Sequence, residues 1–452
     1  MINLMDRKTR VLVATILGSG MVVLDGFVVN LALPSIQRSF GAQFSDLQWV
    51  VDGFLLSLSA LILVGGSLGD IYGRKKIYLL GLYGFTIVSL ICALAPNIPV
   101  LVASRVLQGI FGALLVPGGL AIINTNFPKE ERGKAIGAWS AWLAIVVPIG
   151  PVVGGYIIRV SSWRWIFLIN LPLGLICGYL GSRNFEESRS ESGRHLDLVG
   201  ALLAVVFLTG STYGLIEGPA DKWGIKALSA LVTALAAFIG FIWRERDYHD
   251  PMVRLSLFKS RNFSGTNLMT FMMYGALGGF TFILPIYLQT KLGYSAFVAG
   301  LSMLPVSVLL LLLSRRMGGY SAKYGPRFFL TAGPLICTVA ILLLLNYGPG
   351  DSFVTFLLPR TFLFGVGMSL LVAPLTATVM AAVDDKSSGI ASGINNAVSR
   401  VAGLIVIALL GLAGTGNTYH FSLILSAILT AAAGGVSYFA IQNKLLTKKA
   451  KA

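Results

Sequence analysis

The sequence predicts an all-α polytopic membrane protein with 14 transmembrane helices, arranged as two six-helix bundles with a helix pair inserted between them. Three observations lead there. Only 12% of the 452 residues are charged, against about 25% in an ordinary soluble domain. Hydrophobic residues reach 55% and the mean hydropathy is +0.79. A soluble exterior needs more charge, so a soluble enzyme, a disordered chain and a secreted disulfide scaffold are excluded. Apolar runs matching the ~20 residues of a spanning helix recur along the chain, and Lys and Arg cluster at alternate connections between them.

The runs fall at about 11–33, 47–68, 77–96, 100–124, 134–158, 165–182, 198–216, 224–243, 263–289, 296–314, 328–346, 353–382, 388–413 and 421–441. With the N-terminus inside, 26 of the 35 Lys and Arg residues fall in inner segments, six in outer loops and three (Arg105, Arg360, Arg400) within runs. That asymmetry follows the positive-inside rule. It puts both termini in the cytoplasm and requires an even number of spans. It also accounts for the net charge of +16 without nucleic acid as a partner. Arg7, Lys8 and Arg10 precede an apolar stretch too long for a signal-peptide core, so the first run is read as a retained span. Pro374, inside run 353–382, predicts a tilt or kink. Cys92, Cys177 and Cys337 lie in apolar runs with no CxxC, so neither a disulfide framework nor a metal site is expected. His195, His249 and His420 fall in polar stretches.

An internal repeat sets the domain organisation. Gly66-Ser-Leu-Gly-Asp70-Ile-Tyr-Gly73-Arg74-Lys75 is echoed by Gly318-Gly-Tyr-Ser-Ala-Lys-Tyr-Gly325-Pro326-Arg327, and in each half an arginine (Arg105, Arg360) then opens a glycine-rich span. The offset exceeds six spans, which leaves spans 7 and 8 as an inserted pair. The expected division is 1–190, 191–250 and 251–452. Parallel repeats of this kind place the substrate site between bundles, near the midplane.

Several motifs carry chemistry. Gly66, Asp70, Gly73 and Arg74 mark a tight loop between spans 2 and 3, where glycine permits close backbone approach and Asp70 can accept hydrogen bonds from an arginine or a helix N-terminus. Gly150 and Gly154 share one face of span 5, beside Pro151 and Gly155; small faces let membrane helices pack closely, and proline bends them. Gly65-Gly-Ser67-Leu-Gly69 matches a hydrolase elbow, but without its strand or partner residues.

Asp25 lies mid-span and Asp52 a short way into span 2. An ionisable group inside a span is costly and marks function by default; such a carboxyl can exchange a proton for a cationic substrate. Arg105, near the start of span 4, can tune Asp25 or simply pair with it. Arg400 can act similarly in span 13, or snorkel to the interface. Asn30, Trp142, Tyr213, Asn267, Tyr274, Gln289 and Asn395 are candidate pocket linings.

Leu24-Asp25-x-x-Val28-Val29-Asn30-Leu31-Ala32-Leu33-Pro34, the Gly66–Lys75 loop, Arg105-x-x-Gln108-Gly109, Gly150-Pro151-x-x-Gly154-Gly155 and Trp163-Arg164-Trp165-Ile-Phe167-x-Ile-Asn170-x-Pro172 resemble the major facilitator superfamily, specifically its 14-span drug:proton antiporters of the EmrB/QacA type. The resemblance implies a multi-pass protein of the cell (inner) membrane, monomeric and not an enzyme. It further implies an exporter of hydrophobic or cationic small molecules that works by alternating access, with protons as coupling ion and no other cofactor. Asp25 and Arg105 would join its proton-linked machinery, and Asp52, from its place in span 2, is a further proton-coupling candidate. Phe27, Ile71 and Val146 depart from the family pattern, and span 13 has no acid, which argues against dication export. The alternative is a dedicated exporter of an endogenous lipid, siderophore or metabolite. A channel would need a continuous polar pore and a sensor a soluble domain; neither is visible.

Overall fold

The computed structural model describes residues 6–189, 197–249, 251–384 and 388–443. Arg194, His195, Lys386, the lysines from Lys444 onward and the expected boundary at 190/191 lie outside these residues. The described residues form helices and no strand. The helices are α1 (Arg7–Phe40), α2 (Phe44–Tyr72), α3 (Arg74–Leu94), α4 (Ile98–Asn126), α5 (Lys129–Val160), α6 (Trp165–Leu168), α7 (Asn170–Asn184), α8 (Leu198–Ala220), α9 (Ile225–Asp247), α10 (Arg261–Thr290), α11 (Ala296–Leu301), α12 (Leu304–Tyr324), α13 (Pro326–Leu342), α14 (Leu358–Ala381), α15 (Ser388–Leu409) and α16 (Gly414–Ala440).

Twelve helical segments among the described residues are long and apolar enough to cross a bilayer, where the sequence led us to expect fourteen. The two that fall short stand at the fifth and eleventh positions. α5 has 32 residues, but its first turns carry Lys129, Glu130, Glu131, Arg132 and Lys134, and its apolar stretch is Ile149–Val160. α13 has 17 residues, about 26 Å at 1.5 Å per residue, against a hydrocarbon core of about 30 Å. Two smaller expectations also change. Arg315 and Arg316 sit inside α12 rather than in a loop, and His420 is on α16 rather than between spans. Pro374 lies within α14 without interrupting it.

The chain divides into two compact units, one reaching Gly210 and including Leu231–Phe241, the other comprising Ser211–Ala230 and the chain from Ile242 onward. In the first, α1 packs on α4, α5 and α7, while α2 and α3 pack on α4 and α3 on α7. Glycines set these distances. A Cβ on Gly65 would strike the Ala113 carbonyl, and one on Gly109 the Phe54 carbonyl, so α2 and α4 meet backbone to backbone. Phe54, Tyr78, Phe85, Leu115 and Ile122 fill the core beside them. The second unit repeats the order: α10 packs on α15 and α16, α12 and α13 on α14, and α13 on α16. Gly278 and Gly403 serve the α10–α15 contact in the same way; a Cβ on Gly278 would lie 2.8 Å from the Gly403 Cα.

The repeated loops share a backbone device. Gly73 has φ 114° and Gly325 φ 91°, a region that favours glycine. Each loop is braced by the segment that follows the last helix of its unit's bundle. The Glu187 carboxylate, beyond α7, accepts the N–H groups of Lys75 (3.0 Å) and Lys76 (3.1 Å) at the start of α3. The Asn443 side chain, beyond α16, accepts the Arg327 N–H at 3.1 Å at the start of α13. An acceptor there satisfies amides that have no intrahelical partner. At the N-terminus of α1, hydrogen bonds from Thr9 hold the Asp6 carboxyl below the usual carboxylate range.

Candidate functional site

The first unit encloses a charge network between α1 and α4. Asp25 and Arg105 are each 1% exposed and Gln108 is 0% exposed. Arg105 Nη1 donates to Asp25 Oδ2 at 2.5 Å and to Gln108 Oε1 at 2.6 Å. Gln108 Nε2 donates to the other carboxylate oxygen, Asp25 Oδ1, at 3.2 Å, and to Ser89 Oγ at 3.0 Å. The same hydroxyl accepts from Asn170 Nδ2 at 3.2 Å. Arg105 Nε donates to the Val50 carbonyl at 3.0 Å, and its guanidinium lies 4.4 Å from the Phe54 ring centre and 5.7 Å from that of Phe167. One carboxylate, one guanidinium and two amides are thus sealed among helices α1 to α4, α6 and α7. Charge-assisted bonds of this kind are the strong ones. Asp25 and Arg105 are each other's counter-charge inside this enclosure.

Asp52 is 0% exposed and lies outside this network: among the described residues neither of its carboxyl oxygens has a hydrogen-bond partner. The Asn30 side-chain oxygen is likewise buried and unpartnered.

At the loop motif, Asp70 pairs with Arg74 one turn on, at 3.0 Å from Nε and 2.9 Å from Nη2. Gly66 faces Pro117, whose Cβ would be 3.7 Å from an added methyl. Ser67 bonds the Leu63 carbonyl inside α2 and has no role as a nucleophile there. In α5, Gly150, Pro151, Gly154 and Gly155 are all buried. Gly154 is pressed against Val28 of α1, whose Cβ would lie 3.0 Å from an added methyl, whereas Gly150 has ordinary room, with Val28 Cγ2 at 3.9 Å. Close packing is therefore confined to Gly154 of these two glycines.

The pocket candidates disperse. Trp142 is 54% exposed on α5; Tyr213, Tyr274 and Gln289 are half-buried on α8 and α10. Two are brought together: Asn395 Nδ2 of α15 donates to Asn267 Oδ1 (3.2 Å) and Thr270 Oγ1 (2.7 Å) of α10. Arg360, the repeat partner of Arg105, meets no carboxylate; it bonds the Leu343 and Phe356 carbonyls and stacks 3.5 Å from the Phe356 ring centre. Ser89, Glu187 and Asn443 went unrecognised. Nothing distinguishes Ser89 from other serines in apolar helices, and the two caps act across more than a hundred residues.

Residues 15–407 match the Major Facilitator Superfamily. The chain belongs to that family. It is a multi-pass membrane protein of a transporter family, not an enzyme. Among curated proteins it is 35% identical over 402 residues to "Multidrug resistance protein Stp" of Mycobacterium tuberculosis (strain CDC 1551 / Oshkosh), covering 88% of this chain and 74% of that one. It is 31% identical over 412 residues to the "Tetracenomycin C resistance and export protein" of Streptomyces glaucescens, covering 90% and 76%. Among solved structures, a D-xylose-proton symporter has a TM-score of 0.70 at 16% identity, over 97% of this chain and 99% of that one; at that identity the likeness shows the major facilitator fold alone.

Proposed function

We propose that this protein is a proton-coupled antiporter that exports amphipathic small molecules by alternating access, of the 14-span drug:proton type. The observation that carries the reading is the enclosed Asp25–Arg105–Gln108 network: a titratable carboxyl mid-helix, held by one guanidinium, in a transporter family. Relatives named for multidrug resistance and antibiotic export support the direction. In this reading α5 and α13 cross the bilayer despite their short apolar stretches, α8 and α9 are the inserted pair, and both termini face the cytoplasm of a cell-membrane monomer. Protons are the only coupling ion.

One charge moving through 100 mV changes energy by about 2.3 kcal/mol, enough to drive a substrate about fifty-fold uphill. The test is proton movement in proteoliposomes on addition of an amphipathic substrate. Asp25→Asn cannot titrate, so it should lose accumulation driven by a proton gradient, while Asp52→Asn should lose less. Accumulation by Asp25→Asn against a gradient would move the coupling site elsewhere, with Asp52 next.

A further inference from the structure

We propose that Arg400 of α15 binds an anionic group on the transported molecule, so that the substrate class is an amphipathic acid, a carboxylate or sulfonate on an apolar ring system, rather than a cation. The inference rests on the transport reading above and names the chemistry of its substrate.

Depth is the first argument. Arg400 stands 12 residues after Ser388 and 9 before Leu409, about 18 Å and 14 Å along the helix axis. Beyond Leu409 the chain continues as a 3₁₀ turn to Ala413. Neither end lies within reach of a snorkelling side chain. A cation at that depth needs a partner or a function.

The second argument is the missing partner. Among the described residues Arg400 makes one hydrogen bond, from Nε to Asn396 Oδ1 at 3.1 Å. Helices α10–α16 contain no Asp or Glu. The other arginines within runs use their donors inside the protein: Arg105 on Asp25, Gln108 and Val50, and Arg360 on Leu343 and Phe356. Arg400 keeps both terminal nitrogens available, in the planar fork that matches a carboxylate.

The third argument is access. Ser392, Asn396, Ser399 and Arg400 are spaced i, i+4, i+7 and i+8, on one face of the helix. Ser392 and Asn396 are exposed, while Ala391, Ile394 and Ala402 bury the other face and Asn395 is taken up by Asn267 and Thr270. A polar stripe with one cation and no acid is left open beside apolar helix. Asp52, the unpartnered acid that a cation would seek, is 0% exposed.

The test is binding to the purified full chain in nanodiscs, measured by calorimetry with a naphthalene carboxylate, its carboxamide and its aminomethyl analogue. The acid should bind about tenfold or more tighter than the amide, the equivalent of about 1.4 kcal/mol. Arg400→Gln should erase that preference with amide affinity unchanged, and Arg400→Lys should retain most of it. Asn396→Asp, which supplies a carboxylate one turn away, should erase it as well and serves as the second variant if Arg400→Gln fails to fold. The proposal is overturned if wild-type protein binds the acid no better than the amide, if none of the three binds, or if the preference survives both Arg400→Gln and Asn396→Asp. Preferential acid binding without proton-driven uptake in proteoliposomes would instead sink the antiport reading and leave the Arg400 assignment standing.

Discussion

Asp25 and Arg105 are held by each other more than by the fold around them. Two charges taken out of water cost several kcal/mol each, and their attraction offsets this only when every donor and acceptor is matched. Here the match comes from Gln108 and Ser89, which fix the carboxylate and the amide at once. Removing one partner from such a pair costs about 3–5 kcal/mol, because the other charge is left buried and unpaired. Asp25→Asn should therefore lower the melting temperature as well as abolish coupling. Adding Arg105→Gln to it should restore most of the stability and none of the coupling. Thermal unfolding of the two variants checks this: an Asp25→Asn protein that melts with wild type would show that the pair has no structural part. Asp25 and Arg105 were legible in the sequence because a charge inside an apolar run stands out. The sequence offered pairing as one of two roles for Arg105; that the pair forms, with Gln108 bridging it, was decided by the fold, since residues 80 positions apart carry no mark of adjacency.

Among the elements, α1 and α5 show how one motif splits into unequal parts. Gly150 and Gly154 share a helix face, and their spacing does not tell them apart. The structure distinguishes them, because Val28 of α1 sits against Gly154 and clears Gly150. Gly154→Ala should cost about 1–3 kcal/mol by overpacking. Gly150→Ala should be neutral or stabilising by up to about 1 kcal/mol, since alanine is the better helix former. Melting temperatures of the two proteins decide it, and the reverse order would contradict the packing described. Adding Val28→Ala to Gly154→Ala should recover the loss. The helices themselves were legible from hydropathy, with termini misplaced by a few residues: run 47–68 became Phe44–Tyr72, because helices continue past the apolar stretch into polar turns. The glycines at the bundle loops were legible too. The caps on α3 and α13 were not, because Glu187 and Asn443 read as ordinary loop residues until their partners are brought to them.

At the scale of the molecule, the sequence repeat reappears as a packing repeat, with α1, α5 and α7 matched by α10, α15 and α16. Topology is the open measurement. Reporter fusions after Lys291 and after Lys448 should lie on opposite sides, outside and inside respectively; the same side for both would refute the orientation. Single cysteines at Ser162 and Gly350, in a background free of the three buried native ones, test α5 and α13. Both should label from outside with a membrane-impermeant maleimide. Protection of both Ser162 and Lys291→Cys, with Gly41→Cys still labelled, would show that α5 turns back without crossing, because four spans separate Ser162 from Lys291; protection of Gly350 with Lys291→Cys labelled would say the same of α13.

The amino-acid sequence by itself determined the solvent, the class and the repeat. Twelve per cent charge and runs of about twenty apolar residues leave only the bilayer as surroundings, and a basic loop motif that recurs implies two related bundles; these are local or averaged properties that survive without coordinates. Tertiary structure alone decided which charges are paired. Asp25 finds Arg105, Asp52 finds nothing, Arg360 is spent on carbonyls and Arg400 is left with a single amide. Such outcomes depend on ångström-scale approach between helices distant in sequence, and the energy of a buried charge changes by several kcal/mol with the presence or absence of one neighbour.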